Sequence, residues 1–244
     1  MISFRKMHGL GNDFVILDGR SEPIVLKKEE IIALSDRRRG VGCDQVIVME
    51  PARQADVFMR IYNPDGSEAG ACGNATRCVA DIVMTEKGAE ICVIETVSGL
   101  LHCCRAAASS VTVDMGAPGL SWDAIPLSKT CDTLHLPLPG DPVGVSMGNP
   151  HCIFFVDDAE EADVPGIGSR VEKDPLFPGR TNVEFVQIID RSHIRMRVWE
   201  RGAGITQACG TGACAAAVAA MRRGLTDRLV TVVLDDDRSG DLCF

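Results

Sequence analysis

Thr206-Gln207-Ala208-Cys209-Gly210-Thr211-Gly212-Ala213-Cys214 runs into the small apolar segment from Ala215 to Met221. An earlier stretch, Gly70-Ala71-Cys72-Gly73-Asn74-Ala75-Thr76-Arg77-Cys78, leads in the same way into Val79 to Met84. Each sets Ala-Cys-Gly immediately before a run that reads as a buried helix, so each cysteine sits where a helix begins. The N–H groups of a first helical turn have no intrahelical partners and carry partial positive charge, which favours an anion beside them. A cysteine so placed is expected to ionise below the free thiol's value of about 8.5. Glycine directly after it leaves the backbone bare for a ligand, and Asn74 or Thr211 adds a polar group at the same point. A single Ala-Cys-Gly is more simply a small buried hydrophobe. Two copies in matching surroundings read as two thiols and two anion-binding helix ends.

Cys209 follows Cys72 by 137 residues, and the same offset aligns other pairs. Gly11-Asn12 maps onto Gly148-Asn149, Gly42 onto Gly179, Gln45 onto Asn182, and Arg60-Ile61-Tyr62-Asn63 onto Arg197-Val198-Trp199-Glu200. A period this long lies outside the roughly 20 to 50 residues of solenoid repeats, so it implies two homologous domains. We expect an α/β (α+β) chain of two pseudo-symmetric domains, 1–115 and 116–244, each a mostly antiparallel or mixed β-sheet wrapped around a central helix. If the halves face each other about an approximate two-fold axis, Cys72 and Cys209 flank whatever binds between them.

Composition narrows the function. The 244 residues are 45% hydrophobic with few aromatics, enough to bury a core in each half. A formal net charge of −9 argues against nucleic acid or an anionic membrane as partner. The basic cluster Arg37-Arg38-Arg39 reads as the solvated end of a helix from Glu29 to Arg38, with Gly40 as its stop. Eleven cysteines without a Cys-x-x-Cys motif support neither a disulfide scaffold nor a structural metal. The N-terminal Met1-Ile2-Ser3-Phe4-Arg5-Lys6 lacks an apolar signal region and no run approaches a membrane span, so a cytoplasmic setting is expected.

Along the chain, Phe4 to Met7 and Phe14 to Leu17 read as strands joined by a polar loop, His8 to Asp13, and Val46 to Met49 and Val57 to Tyr62 as further strands. A helix is expected from about Asn74 to Lys87, ending at Gly88, followed by strands over Glu90 to Thr96, Gly99 to Ala106 and Val111 to Met115. In the second half, Gly166 to Gly179, rich in glycine and proline, reads as loop. Strands over Val183 to Ile189 and His193 to Trp199 precede a helix from about Thr211 to Arg223. Cys43, which has no counterpart cysteine, reads as structural.

Two thiols on opposite faces of one carbon suit racemisation or epimerisation. One as thiolate removes a proton while the other as thiol delivers one from behind. A helix end contributes about 0.3 to 2 kcal/mol, whereas enzymatic acceleration needs at least ~8 kcal/mol, so closure over the substrate is expected to supply most of the rest.

The runs His8-Gly9-Leu10-Gly11-Asn12-Asp13-Phe14, Gly40-Val41-Gly42-Cys43-Asp44-Gln45, Asp65-Gly66-Ser67-Glu68, Cys72-Gly73-Asn74, Met147-Gly148-Asn149-Pro150-His151, Thr181-Asn182, Glu200-Arg201-Gly202-Ala203-Gly204 and Ala208-Cys209-Gly210-Thr211-Gly212 closely resemble diaminopimelate epimerase, from residue 7 to about 224. The resemblance implies a pyridoxal-independent isomerase, with no cofactor and no metal, that interconverts LL- and meso-diaminopimelate on the route to lysine and peptidoglycan. It implies Cys72 and Cys209 as the acid–base pair and His151 and Glu200 as the polar pair assisting proton transfer. Asn12, Gln45, Asn63, Gly73, Asn74, Asn149, Asn182, Glu200, Arg201, Gly210 and Thr211 fall on substrate contacts. A two-thiol racemase of another amino acid, of the proline racemase kind, keeps the mechanism and changes the substrate. A thiol redox protein is the reading of another class. Partners beyond the small-molecule substrate are not called for, and a homodimer is left open. Ala75 and Ile205 stand where the family more often has glycine and glutamate, and family members usually continue past the segment matching Leu234 to Phe244, with a final strand that returns to the first domain.

Overall fold

The apolar runs that follow the two cysteines form the two longest helices of a computed structural model, which describes residues 3–9, 11–106, 110–235 and 242–243. Met1, Ile2 and Leu10 of the stretches read above, and 236–241 and Phe244 of the tail, lie outside the described residues. The chain divides into two compact units, Met1–Met115 and Gly116–Phe244.

In the first unit the order is β1 (Phe4–Gly9), β2 (Asn12–Asp18), α1 (Lys28–Ser35), β3 (Gln45–Glu50), β4 (Val57–Tyr62), β5 (Glu68–Ala69), α2 (Gly73–Lys87), β6 (Ile91–Thr96), β7 (Gly99–Arg105) and β8 (Val111–Asp114). The second unit holds β9 (Val143–Ser146), β10 (Pro150–Phe155), α3 (Val164–Val171), β11 (Asn182–Ile188), β12 (His193–Glu200), β13 (Gly204–Thr206), α4 (Gly210–Arg222), β14 (Thr231–Val233) and β15 (Leu242–Cys243). Among the described residues the first sheet runs β1-β2-β3-β4-β6-β7-β8 with β5 on β4, and the second β15-β14-β12-β11-β10-β9 with β13 on β12.

The 137-residue offset holds in the strand register. Phe14 opposes Gln45 as His151 opposes Asn182, both in parallel pairs, and Val46 opposes Tyr62 as Val183 opposes Trp199. Ile61 opposite Ala69 repeats as Val198 opposite Thr206. Beyond the helices the match slips by one residue, since Val57 opposes Ile94 whereas Ile194 opposes Val232.

Each sheet curls around one helix, most of which is buried against it. In α2 the buried Ala75, Cys78, Val79, Ala80, Ile82, Val83 and Met84 pack against Phe14, Ile47, Met59, Ile61 and Ile94 of the sheet. Burying each larger aliphatic side chain contributes about 1.5–3 kcal/mol. Gly88 ends α2 at φ 60°, a left-handed turn that favours glycine. In α4 the buried face is built from Ala213, Ala215, Ala216, Ala217, Ala219 and Ala220, strong helix formers whose small side chains let the sheet close tightly on them.

Three expectations differ from the structure. The loop between the first strands is shorter than His8 to Asp13, because β1 and β2 stay paired out to Gly9 opposite Asn12. Helix α1 ends at Ser35 rather than Arg38: Asp36 turns extended and its carboxylate accepts from the N–H groups of Arg38 and Arg39, holding the arginines in a turn. The stretch from Gly166 is partly helical. Asp163 caps α3 by accepting from the Gly166 N–H at 3.0 Å, Pro165 suits a first turn, and Gly168 is there because Trp199 packs against it. No helix among the described residues is long and apolar enough to cross a membrane.

A Cβ at Gly168 would stand 2.6 Å from the Trp199 Cβ, and Trp199 is itself pinned by its Nε1–H bond to Glu172 at 2.8 Å. Gly168→Ala is therefore expected to destabilise the protein by roughly 1–3 kcal/mol, read as a lowered urea midpoint at unchanged slope.

Candidate active site

Cys72 is the N-cap of α2 and Cys209 the N-cap of α4, both with extended backbone, so each sulfur stands beside its helix's first unpaired N–H groups. Gly73 and Gly210 are the first helical residues. Around Cys72, the Asn12 Oδ1 lies 3.8 Å from the sulfur and accepts from Asn74 Nδ2 at 3.4 Å. Asn74 is buried, and its own Oδ1 accepts from Arg77.

The orientation of Asn12 is set from behind. Its Nδ2 donates to Asp44 Oδ2 at 3.0 Å, the Asp13 N–H donates to the same oxygen, and the Asp44 N–H returns a bond to Asp13 Oδ1. Arg37 bridges both carboxylates at 2.7 Å and Lys6 reaches Asp13 at 2.6 Å. Burial works to raise the Asp13 carboxyl, yet the bonds from Arg37 and Lys6 outweigh it and hold it well below the usual carboxylate range. Arg37 is thus no idle solvated charge. Gln45 and Asn63 form a separate pair, Nε2 to Oδ1 at 3.0 Å, with Asn63 tied to Ser67. No hydrogen bond among the described residues joins this pair to Asn12, and the Gln45 Oε1 is buried without a partner.

In the second unit the Cys209 sulfur accepts from the Gly212 N–H at 3.4 Å and lies 3.5 Å from the Thr211 hydroxyl. Thr211 accepts from Asn149 Nδ2 at 3.3 Å, and Asn149 Oδ1 is 2.9 Å from His151 Nε2. Asn182 joins two segments: its Nδ2 donates to the Pro150 carbonyl at 3.1 Å and its Oδ1 accepts from the Arg201 N–H at 2.9 Å. The Arg201 guanidinium, exposed, donates to the Gly179 carbonyl. Glu200 accepts from Thr206, and burial raises its carboxyl above the usual range.

The expectation of an easily ionised thiol fails at Cys209. Burial, followed by the negative charges of Glu200 and Glu184, pushes this thiol well above its ordinary value, while the Thr211 and Gly212 bonds pull only weakly the other way. The magnitudes explain the outcome: a partly buried helix end is worth up to ~2 kcal/mol, whereas full burial shifts a group by up to about 3–5 pH units. Cys43, by contrast, behaves as read from sequence, a buried thiol against Ser35 whose ionisation burial disfavours.

Sequence reasoning missed Glu184. It is fully buried on β11, and its Oε1 lies 2.6 Å from His151 Nδ1. A signal existed: a carboxylate inside the apolar run Val183, Phe185, Val186 demands a buried partner, and the 137-residue offset maps it onto Ile47.

Two copies of one sheet-and-helix unit, each opening its buried helix on Ala-Cys-Gly, define a fold that solved structures share. A probable proline racemase from Agrobacterium radiobacter shares the fold at a TM-score of 0.66 and 16% identity, covering 96% of this chain and 82% of its own. A hydroxyproline epimerase from Agrobacterium vitis does so at 0.64 and 16%, covering 94% and 80%. The diaminopimelate epimerase family model matches residues 4–120 and 143–239. Diaminopimelate epimerases of Rhodospirillum centenum and Gluconobacter oxydans are 55% and 54% identical, over 96% and 99% of this chain and 83% and 90% of their own lengths. The chain belongs to the diaminopimelate epimerase family, and with it to the isomerases.

The raised thiols carry a stability signature. Cys78 is pushed up to about 12 by burial, and Cys152 and Cys209 are raised well above the ordinary value. Below the unfolded value of about 8.5 both states keep these protons and stability is full. Above it the unfolded chain releases them first, costing up to about 1.4 kcal/mol per pH unit per thiol. The urea midpoint should fall from pH 8 to pH 10, and Cys78→Ala should make that fall shallower.

Proposed function

We propose that this isomerase interconverts LL- and meso-diaminopimelate by two-base proton transfer at the α-carbon, with Cys72 and Cys209 on opposite faces of that carbon. The observation that carries this reading is the matched placement of the two cysteines, each the N-cap of the buried helix in its own copy of the unit, with Asn12 near one sulfur and Asn149 bonded to the Thr211 hydroxyl beside the other. One sulfur as thiolate takes the α-proton, the electron pair spreads into the adjoining carboxylate, and the other sulfur gives its proton to the opposite face. The C–H bond broken and the C–H bond made balance without oxidant or reductant. The Cys209 setting favours the thiol, the donor half of the pair.

The first-turn N–H groups after Gly73 and Gly210 suit the α-carboxylate. A substrate with two amino and two carboxyl groups needs partners that both donate and accept, which Asn12, Gln45, Asn63, Asn74, Asn149, Asn182 and Thr211 provide, together with both signs of charge from Glu200 and Arg201. His151, bonded to Asn149, and Glu200 assist the proton's passage at Cys209. The reaction belongs to lysine and peptidoglycan precursor supply in the cytoplasm, where thiols stay reduced.

Incubated with LL-diaminopimelate in heavy water without added cofactor, the pure protein is expected to place deuterium at the α-carbon as the meso form appears, read by mass spectrometry and NMR. Cys72→Ala and Cys209→Ala should each lower epimerisation by about 10²–10⁴-fold. Full turnover by either variant would remove the two-thiol mechanism, and exchange into proline but not diaminopimelate would change the substrate.

A further inference from the structure

The two halves differ at the positions beneath their cysteines. Where the first unit has Phe14 and Ile47, both fully buried hydrophobes, the second has His151 and Glu184 at the register-equivalent places, both fully buried and 2.6 Å apart. The Glu184 Oε2 is buried with no hydrogen-bond partner among the described residues. A Cβ added at Gly212 would meet Glu184 Oε1 at 2.9 Å and the Cys209 sulfur at 3.3 Å, so the carboxylate and the thiol crowd the same helix turn from two sides. At the equivalent position the first unit carries Ala75, fully buried, with no carboxylate to meet its methyl group.

A buried acid of this kind is costly, and a hydrogen-bond partner on one oxygen offsets only part of that cost. We propose that Glu184 is a positioning residue for the second half of the site: it fixes the His151 ring through Nδ1, directing Nε2 at Asn149, and lends its negative charge to the Cys209 sulfur across Gly212. The chain of contacts then runs from Glu184 through His151, Asn149 and Thr211 to Cys209. The groups facing Cys209 are Glu184 on β11, Glu200 on β12 and, one residue removed, His151 on β10, while the first turn of α4 brings no charged side chain of its own. Glu184 thereby helps keep Cys209 a thiol, ready to donate. This deepens the proposed mechanism and rests on Cys209 being one of its two acid–base groups.

The test reads the coupling of Glu184 to Cys209 without turnover. Carboxamidomethylation of Cys209 by iodoacetamide is followed across pH by mass spectrometry of its peptide, each profile normalised to its own plateau. Glu184→Gln keeps the shape and an acceptor for the ring but removes the charge. Its labelling midpoint is expected about one pH unit lower, roughly tenfold faster labelling at a fixed pH below the midpoint. Glu184→Asp keeps the charge but withdraws it by one methylene, so a smaller displacement in the same direction is expected, and it serves if the Gln variant does not fold. In parallel, Glu184→Gln should lower kcat for epimerisation while KM holds. Labelling profiles that superimpose on the parent, or a rise in KM alone, overturn the proposal. A shifted labelling profile in a protein that fails to deuterate the substrate would instead leave the Glu184–Cys209 coupling standing and remove the proposed reaction.

Discussion

The burial of most of one helix inside a sheet is the constraint on which each unit depends. In α2 only Arg77, Asp81 and the last turn from Thr85 reach water, and in α4 nearly every residue before Met221 is buried, so a sheet must curl around each helix. A helix enclosed in this way leaves its first N–H groups without partners inside the unit's core, and they must be satisfied at the rim. In both copies the rim residue is a cysteine followed by glycine. Each sulfur is thus placed by packing, with Asn12 3.8 Å from that of Cys72 and Asn149 bonded to the Thr211 hydroxyl that lies 3.5 Å from that of Cys209.

Much of this was legible in the chain. The two Ala-Cys-Gly runs located both helix starts, and the offset between them predicted equivalences that reappear residue for residue in strand pairing, such as Phe14 with Gln45 and His151 with Asn182. What escaped was what pattern reading is weak at. Helix α3 was hidden because its glycine and proline act through a cap and a close approach to Trp199, which are tertiary facts. Arg37 looked like a loose surface charge because its partners, Asp13 and Asp44, are brought to it only by the parallel pairing of β2 with β3. The expected ionisation at Cys209 was wrong because a local motif says nothing of depth: the helix end favours a thiolate, but burial and two nearby carboxylates favour the thiol more strongly.

The two halves kept the same frame and diverged in what fills it. Beneath Cys72 the floor is hydrocarbon, and the polar organisation comes from the front, where Asp13, Asp44, Arg37 and Lys6 hold Asn12. Beneath Cys209 the floor itself is ionic, with His151 and Glu184 inside the sheet. One sets a carboxamide beside a sulfur, and the other sets a carboxamide on the hydroxyl beside a sulfur. They differ in the field that sulfur experiences, which is what a pair of groups needs if one is to give a proton while the other takes it.

The contrast between Ala75 and Gly212 sets how far the two helices are interchangeable. Once one copy rests its helix on a carboxylate and the other on an isoleucine, a single methyl group separates what each will accept. Set into the second half, the first helix would bring that methyl to 2.9 Å from Glu184 Oε1, and the carboxylate, with its bond to His151, would have to shift before that half took its twin's helix.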